Sequence, residues 1–166
     1  MKRRWDSVKK SLAMVSSMCL ITLLCFMTNG LSAHAEDHSY DGKSPYYNNC
    51  ASSGTTKAAA RLIDANNKQF GIVELKFSSV CKTAWAKITL DKAVPSGWEA
   101  NAYVKRNTDG KELNCSSSGG NGKVLPGQTS CYTPMVYDLD PRSSYAMGKY
   151  YNPSTGALTY AYTSSY

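Results

Sequence analysis

Few side chains in this sequence are suited to general acid–base catalysis. A histidine-dependent triad needs a histidine held firmly beside a nucleophile, and the candidate, His38, stands in a polar stretch near the amino terminus. Carboxylates are the alternative, because glycoside hydrolysis needs only two at a suitable separation. Glu74, Glu99, Glu112 and the aspartates are candidates, but Glu74 and Glu99 alternate with apolar residues, which is typical of a solvated sheet face. We therefore expect His38 to be solvated, and we keep a carboxylate-dependent hydrolase as an alternative.

The densest acidic cluster surrounds Asp138 and Asp140. Its spacing resembles the start of a calcium-binding loop, but the glycine and the closing bidentate acid of such a loop are missing. A turn fits better, since Asp bends the chain, Pro141 restricts it and Arg142 can pair with a carboxylate. The sequence therefore indicates no metal site, no cofactor and no assigned catalytic residue.

The cysteines indicate disulfides. Of the six in the chain, Cys19 and Cys25 lie in the amino-terminal segment discussed below. An even number of cysteines in an exported chain is typical of disulfides, and the remaining four allow three pairings. Nested and crossed pairings stay open, but the sequential one closes loops of about 30 and 15 residues, each worth a few kcal/mol. We favour that pairing over a zinc site, since Cys-x-x-Cys spacing is absent from this sequence. The favoured pairs are Cys50 with Cys81 and Cys115 with Cys131.

Aromatic side chains are the most suggestive candidates for binding. Twelve tyrosines, all after position 35, accompany two tryptophans in the same part of the chain. Exposed Tyr and Trp offer flat, amphipathic surfaces to sugar rings or to protein partners. The alternative is cross-strand packing, because Tyr is a favoured strand residue. The candidate ligand-binding residues are Trp85, Trp98, Tyr103, Tyr150, Tyr151, Tyr160 and Tyr162.

The segment 116–130 offers a different function. It is rich in Ser, Gly and Asn and has almost nothing to bury, so we predict a long surface loop tied at its ends by Cys115 and Cys131. Lys123-Val-Leu within it contains a plausible cleavable bond. A secreted peptidase inhibitor that presents this loop is therefore an alternative hypothesis.

The first 35 residues have the composition of a secretory signal peptide. A basic start is followed by an apolar run over 12–27, by Asn29-Gly30, and by the cleavage pattern Ala33-His34-Ala35. An uncleaved anchor is the alternative, but the run is shorter than the roughly 20 residues that span a bilayer. The pattern predicts cleavage after Ala35, a single secreted β domain over 36–166, and no stable membrane anchor after processing.

The charge of the precursor is misleading. Its net charge is +7, but five of the 19 basic residues and one of the 12 acidic residues lie in 1–35. The remaining 14 basic and 11 acidic residues give +3, which is an ordinary soluble surface. We expect no nucleic-acid partner, and we expect an extracellular ligand, either a glycan or a protein surface.

Strands must position these side chains, because the clearest segments alternate. Every second residue from Gly71 to Phe77 is apolar or glycine, and so is every second residue from Ala84 to Leu90, which leaves Trp85 turned outward. The stretch 58–64 fits a helix or a strand, and the Asn-Asn pair that follows favours a strand with a hairpin turn.

Further strands follow the same pattern. They are predicted over 98–106, 111–115 and 132–138, and as a hairpin over 145–162 around the turn 152–156, after an extended lead-in at 36–49. Short strands at regular spacing indicate an all-β fold, a small antiparallel sandwich or barrel stapled by disulfides.

Four motifs and Cys50 carry a resemblance to a known family. The motifs are Gly71-Ile-Val-Glu-Leu-Lys-Phe-Ser78, Cys81-Lys-Thr-Ala-Trp85-Ala, Tyr40-Asp-Gly-Lys-Ser-Pro45 and Tyr132-Thr-Pro-Met-Val-Tyr-Asp138. Together they resemble the YjfA-like family of exported bacterial proteins of unknown function, over about residues 40–148. The resemblance implies an exported domain and a Cys50–Cys81 disulfide, and it implies no activity. The leading hypothesis is a secreted, non-enzymatic module that binds an extracellular or cell-envelope ligand.

Overall fold

Nine β-strands form the framework of residues 38–166, the part of the chain that the computed structural model describes. Two short 3-10 helices, His38–Tyr40 and Tyr47–Ser53, precede them. The predicted signal peptide, 1–35, and the predicted cleavage after Ala35 lie outside the described residues. The strands are β1 (Gly54–Ile63), β2 (Gln69–Ser78), β3 (Thr83–Leu90), β4 (Glu99–Arg106), β5 (Glu112–Asn114), β6 (Ser130–Tyr132), β7 (Val136–Tyr137), β8 (Ser144–Asn152) and β9 (Ala157–Tyr162).

The strands form two antiparallel sheets. Sheet A has the order β1-β2-β3-β6, with β7 also paired to β3, and sheet B has the order β5-β4-β8-β9. The sheets pack face to face, with β2 and β3 against β4 and β8. The predicted all-β antiparallel fold is confirmed and is a sandwich. The strand favoured over a helix at 58–64 is confirmed as part of β1.

The alternating residues place the core between the sheets. Val73 and Leu75 of β2 and Ile88 of β3 are fully buried, as their period of two predicts. Sheet B contributes small residues to this core. Gly148 of β8 lies so close to Val73 that a Cβ at Gly148 would stand 3.0 Å from the Val73 Cβ. Small groups on one sheet let the larger side chains of the other fill the core at high density.

Two disulfides join distant parts of this framework. Cys50–Cys81, with Cα atoms 5.6 Å apart, links the second 3-10 helix to the β2–β3 connection. Cys115–Cys131, with Cα atoms 6.0 Å apart, closes the segment 116–130. The favoured sequential pairing is confirmed. Paired cysteines are typical of proteins in oxidising compartments.

Trp85 differs most from its prediction. It projects from β3 away from the core between the sheets, as the alternation predicts, yet it is only 4% exposed. The segment 38–53 covers it and forms a second small cluster in which Trp85 packs with Cys50, Cys81 and Met135. The expected exposure of Trp85 is therefore wrong, because a chain segment tied down by a disulfide shields this outward position.

The covering segment 38–53 is folded, so the prediction of an extended lead-in is wrong for its described part. Asn48 and Asn49 adopt φ of +48° and +57° between the helical turns, a conformation that Asn tolerates better than most residues. His38 is 40% exposed, but its Nδ1 lies 3.0 Å from Oδ2 of Asp41. The histidine is thus solvated as expected but is not part of a free tail.

Candidate functional site

One end of the sandwich opens into a cleft of about 650 Å³, here named the end cleft. The β1–β2 turn, the β3–β4 loop, the last residues of β8 and the first residues of β9 enclose it. Its volume falls within the range of roughly 300–1,000 Å³ that is typical of small-molecule sites. The end cleft therefore has the size of a binding site.

Three aromatic rings form one wall of the end cleft. The ring centroid of Tyr150 lies 4.9 Å from that of Phe70 and 5.6 Å from that of Trp98, with ring planes inclined by 57° and 60°. All three side chains are half-buried and pack against the main core. Burial raises the pKa of the Tyr150 hydroxyl, so at neutral pH this group is an uncharged hydrogen-bonding group beside the rings.

Local chain geometry brings these rings together. Phe70 is the second residue of β2 and lies beside a register shift in the β1–β2 ladder between Leu62 and Ile63. Trp98 ends a turn that starts at Pro95, closed by a 3.2 Å hydrogen bond from the Trp98 N–H to the Pro95 carbonyl. The two sheets thus contribute one ring wall jointly, from positions far apart in sequence.

The rim of the end cleft is polar and balanced in charge. Asp64 and Asp91 face the cleft with Lys68 and Lys92, so the two negative and two positive charges cancel. Oδ1 of Asp64 accepts hydrogen bonds of 2.9 Å from the N–H groups of Asn66 and Lys68, which shape the β1–β2 turn. The cleft therefore suits a neutral, polar ligand with an apolar face better than an ion.

A second aromatic surface covers the outer side of sheet B. Alternate residues of β8 and β9, such as Ala146 and Ala161, are buried in the core, so their neighbours project outward. The strand register sets Tyr162 beside Met147 and Tyr160 beside Lys149. The tyrosine face, as we name this surface, consists of Tyr103, Tyr145, Met147, Lys149, Tyr151, Leu158, Tyr160 and Tyr162.

The structure divides the seven aromatic residues predicted as ligand-binding into three groups. Trp98 and Tyr150 line the end cleft, and Trp85 is buried under the amino-terminal segment. The other four belong to the tyrosine face. Phe70 was not predicted as a site residue, and only its place next to a predicted turn could have suggested it. The four on the tyrosine face are Tyr103, Tyr151, Tyr160 and Tyr162.

The carboxylates proposed for hydrolysis are separated and engaged. Glu74 accepts a 2.7 Å hydrogen bond from Thr56 on the outer side of sheet A. Glu99 is ion-paired with Lys123, and Glu112 lies 3.9 Å from Lys105. None of the three lines the end cleft. The acids that do so are Asp64 and Asp91, which belong to the aspartates considered as candidates.

The segment around Asp138 is a turn, as predicted. The Arg142 N–H donates to the carbonyl of Leu139 at 3.1 Å, and the Arg142 guanidinium lies over the ring of Tyr137. Burial raises the pKa of Asp138 to about 6, although a hydrogen bond from Ser144 and the charges of Arg106 and Arg142 oppose the rise. Asp138 does not line the end cleft, and its Oδ1 accepts a 2.7 Å hydrogen bond from Ser144 at the start of β8.

A buried ion pair ties the amino-terminal segment to sheet B. Arg106 is 1% exposed, and its guanidinium donates to both carboxylate oxygens of Asp41 at 3.0 and 3.1 Å, and to Asp109. Burial alone would raise the pKa of Asp41, but hydrogen bonds from Arg106, from the Tyr137 N–H and from His38 outweigh it and lower that pKa. The pair anchors the segment that covers Trp85.

The segment proposed as an inhibitory loop is held against the sandwich. Val124 is fully buried and bridges Ala100, with N–H to carbonyl distances of 2.8 and 3.1 Å in the two directions. The expectation that 116–130 has almost nothing to bury is therefore wrong. Because the Val124 side chain is buried and its backbone is hydrogen-bonded to Ala100, the Lys123–Val124 bond is not displayed for a peptidase.

Within residues 38–166, no group of three His, Cys, Asp or Glu side chains could hold a metal ion. A search of the same residues finds no helix long and apolar enough to cross a membrane.

Comparison with known proteins gives relatives but no activity. A family model described as "Protein of unknown function (DUF2690)" matches residues 38–147. The chain is 59% identical over 158 residues to "Uncharacterized protein YjfA" of Bacillus subtilis (strain 168), a match that covers 95% of this chain and 99% of the relative. No solved structure matches this chain. The resemblance that the motifs indicated is confirmed.

Proposed function

Since the chain belongs to the DUF2690 family of proteins of unknown function, we propose its function from the geometry: it is an exported, non-enzymatic binding module that takes a neutral glycan in the end cleft. The observation that carries this proposal is the wall of Phe70, Trp98 and Tyr150 inside a cleft of about 650 Å³. Sugar rings have apolar faces and polar edges, and such a wall with a polar rim complements both.

The charge balance of the rim supports a neutral ligand. Two carboxylates, Asp64 and Asp91, and two ammonium groups, Lys68 and Lys92, surround the cleft. An anionic or cationic ligand would meet one like charge for every opposite one, whereas sugar hydroxyls can accept from the lysines and donate to the aspartates. Neutral oligosaccharides of the extracellular matrix or cell envelope fit this description.

Export is part of the proposal. Two disulfides suit an oxidising compartment, and residues 1–35 carry the signal pattern that ends at Ala35. Amino-terminal sequencing of the protein recovered from culture medium is the test. We expect a start at Glu36, and a start at Met1 would remove the export claim while leaving the binding claim open to its own experiment.

Binding is tested with a glycan array followed by calorimetry on the best neutral oligosaccharide. Trp98→Leu keeps apolar volume but removes the ring, so we expect affinity to fall about fivefold to tenfold. Tyr46→Leu, an equivalent change at a 68% exposed tyrosine outside the cleft, is the matched control and should bind like the wild type. An array without neutral glycan ligands, or equal affinities of Trp98→Leu and wild type, would refute the proposal.

A carboxylate-dependent hydrolase is the second candidate, because Asp64 and Asp91 both line the end cleft. Hydrogen bonds from two turn N–H groups occupy Oδ1 of Asp64, which favours a structural role for that carboxylate. Release of new reducing ends from the bound oligosaccharide decides the matter. Release that is abolished by Asp91→Asn would replace the binding proposal by hydrolysis.

A further inference from the structure

Three large side chains of the tyrosine face are widely exposed to solvent. Tyr160, Tyr162 and Leu158 on β9 are 44%, 57% and 45% exposed. Tyrosine and leucine side chains on an edge strand of a soluble protein expose apolar area that water solvates poorly. The described residues contribute nothing that covers this area.

The rings of this face form a shallow platform. The ring centroid of Tyr162 lies 6.4 Å from that of Tyr160 and 6.4 Å from that of Tyr145, and the planes of Tyr160 and Tyr162 differ by only 22°. Tyr160 and Tyr162 follow the repeat of alternate strand residues, about 6.8 Å. A platform of this kind, without a cavity, suits an extended chain that lies along it.

The tyrosine face carries a positive charge that no neighbouring carboxylate in the described part of the chain neutralises. Two carboxylates border the face, and both are ion-paired: Glu99 with Lys123 and Glu112 with Lys105. Lys149 stands opposite Asn101 on β4 and Tyr160 on β9, and among residues 38–166 it has no ion-pair partner. The centre of the platform therefore carries one positive charge that is left for a ligand.

We propose that the tyrosine face is a second binding surface and that its ligand is an extended anionic polymer, a chain of sugar or polyol units that bears carboxylate or phosphate groups. The apolar sides of its units pack on Tyr160 and Tyr162, and an acidic group pairs with Lys149. This surface is separate from the end cleft, because Tyr150 projects inward into the cleft while Lys149 and Tyr151 project outward.

The outer side of sheet A provides a comparison for binding by positive charge alone. Arg61 of β1 lies on that side, opposite Ile72 of β2, with no aromatic residue beside it in the strand register. An anionic polymer that recognised positive charge alone would bind there as readily. Selective binding at the tyrosine face requires the combination of ring surface and cation.

The experiment measures binding of the full chain to polygalacturonate, to poly(glycerol phosphate) and to amylose, by biolayer interferometry. The two anionic polymers distinguish a carboxylate ligand from a phosphate ligand, and amylose tests whether charge is needed. We expect at least one anionic polymer to bind, amylose to bind at least about tenfold more weakly, and Tyr160→Ser and Lys149→Gln each to weaken binding about fivefold.

Two controls assign the surface. Arg61→Gln removes a positive charge from the outer side of sheet A and should not weaken binding, and Trp98→Leu should leave polymer binding intact while it affects the end cleft. The proposal is overturned if Arg61→Gln weakens binding as much as Lys149→Gln, or if neither anionic polymer binds. It is also overturned if sedimentation shows a dimer that Tyr160→Ser dissociates, because a second copy would then occupy the face.

Discussion

The two outer faces of the sandwich treat their aromatic residues in opposite ways. On sheet A, Trp85 projects outward but is 4% exposed, because the segment 38–53 covers it. On sheet B, Tyr160 and Tyr162 project outward and are 44% and 57% exposed. The outward position is the same in both cases. Exposure of an aromatic strand residue thus depends on whether another segment is anchored over it, and here a disulfide and a buried ion pair provide the anchors.

Removing the disulfide anchor should change sheet A most. Replacing Cys50 and Cys81 by Ala opens a loop closed over a sequence separation of 31, so we expect the free energy of unfolding to fall by roughly 3–4 kcal/mol. Chemical denaturation measures the loss. Acrylamide quenching, in a background with Trp5 and Trp98 replaced by Phe, measures exposure of Trp85, which should rise.

The other disulfide is the matched control for that change. Replacing Cys115 and Cys131 by Ala should cost about 3 kcal/mol, but Trp85 should stay shielded because this disulfide does not hold its cover. If quenching rises equally in both double variants, the shielding of Trp85 depends on the global stability of the domain. The Cys50–Cys81 disulfide would then not be the anchor that distinguishes the two faces.

The ion-pair anchor should matter next. Asp41→Asn removes the carboxylate that faces the buried Arg106, and we expect a loss of about 2–3 kcal/mol, measured by denaturation at pH 7. Because the pKa of Asp41 is lowered from its ordinary value of 3.8, its contribution is present above that pH and is lost as the pH falls through the folded-state pKa. Wild-type stability should therefore fall on acidification below about pH 4 more steeply than that of Asp41→Asn.

Asp109→Asn serves as the control for the ion pair. Its side chain is 47% exposed and also contacts Arg106, but solvent screens the interaction, so the loss should stay below about 1 kcal/mol. Equal losses for the two variants would contradict the role of Asp41 as the anchor of the cover.

Close packing of Gly54, the first residue of β1, on Trp85 should produce a smaller effect. A Cβ at Gly54 would lie 2.4 Å from Cη2 of Trp85 and 3.0 Å from the Ala51 carbonyl, so Gly54→Ala should cost about 1–2 kcal/mol. Thermal unfolding measures the cost. Adding Trp85→Phe, which removes the clashing ring atoms, should recover part of it, and an equal cost in both backgrounds would show that the clash with Trp85 is not its cause.

Changes on the uncovered face should have the smallest effect. Tyr160→Ser and Tyr162→Ser remove rings that are already largely in water, so each should change the free energy of unfolding by less than about 0.5 kcal/mol. Tyr137→Ser is the buried comparison, since this ring is 6% exposed, and it should cost about 3 kcal/mol. Losses at Tyr160 as large as at Tyr137 would mean that the tyrosine face is a structural element.

Local patterns in the sequence were sufficient to predict most of the strands and the disulfides, whereas the single strand predicted over 132–138 is wrong, because the structure has β6 and β7 there with 133–135 between them. The alternation from Gly71 to Phe77 and from Ala84 to Leu90 predicts β2 and β3, because the side-chain period of a strand is a property of its own backbone. The sequential pairing of cysteines was predictable in the same way, since short loops are closed at the least cost in chain entropy. The tyrosine face follows from the alternation within β8 and β9.

Only the tertiary structure decided what covers Trp85 and where the end cleft opens. Both depend on contacts between residues far apart in sequence, such as Phe70 with Tyr150 and Asp41 with Arg106. A strand pattern assigns a side chain to a face, but it carries no information about which other segment reaches that face. The burial of Val124 against β4 is a further case, because a chain rich in Ser and Gly can still place one apolar residue in the core once its ends are fixed by a disulfide.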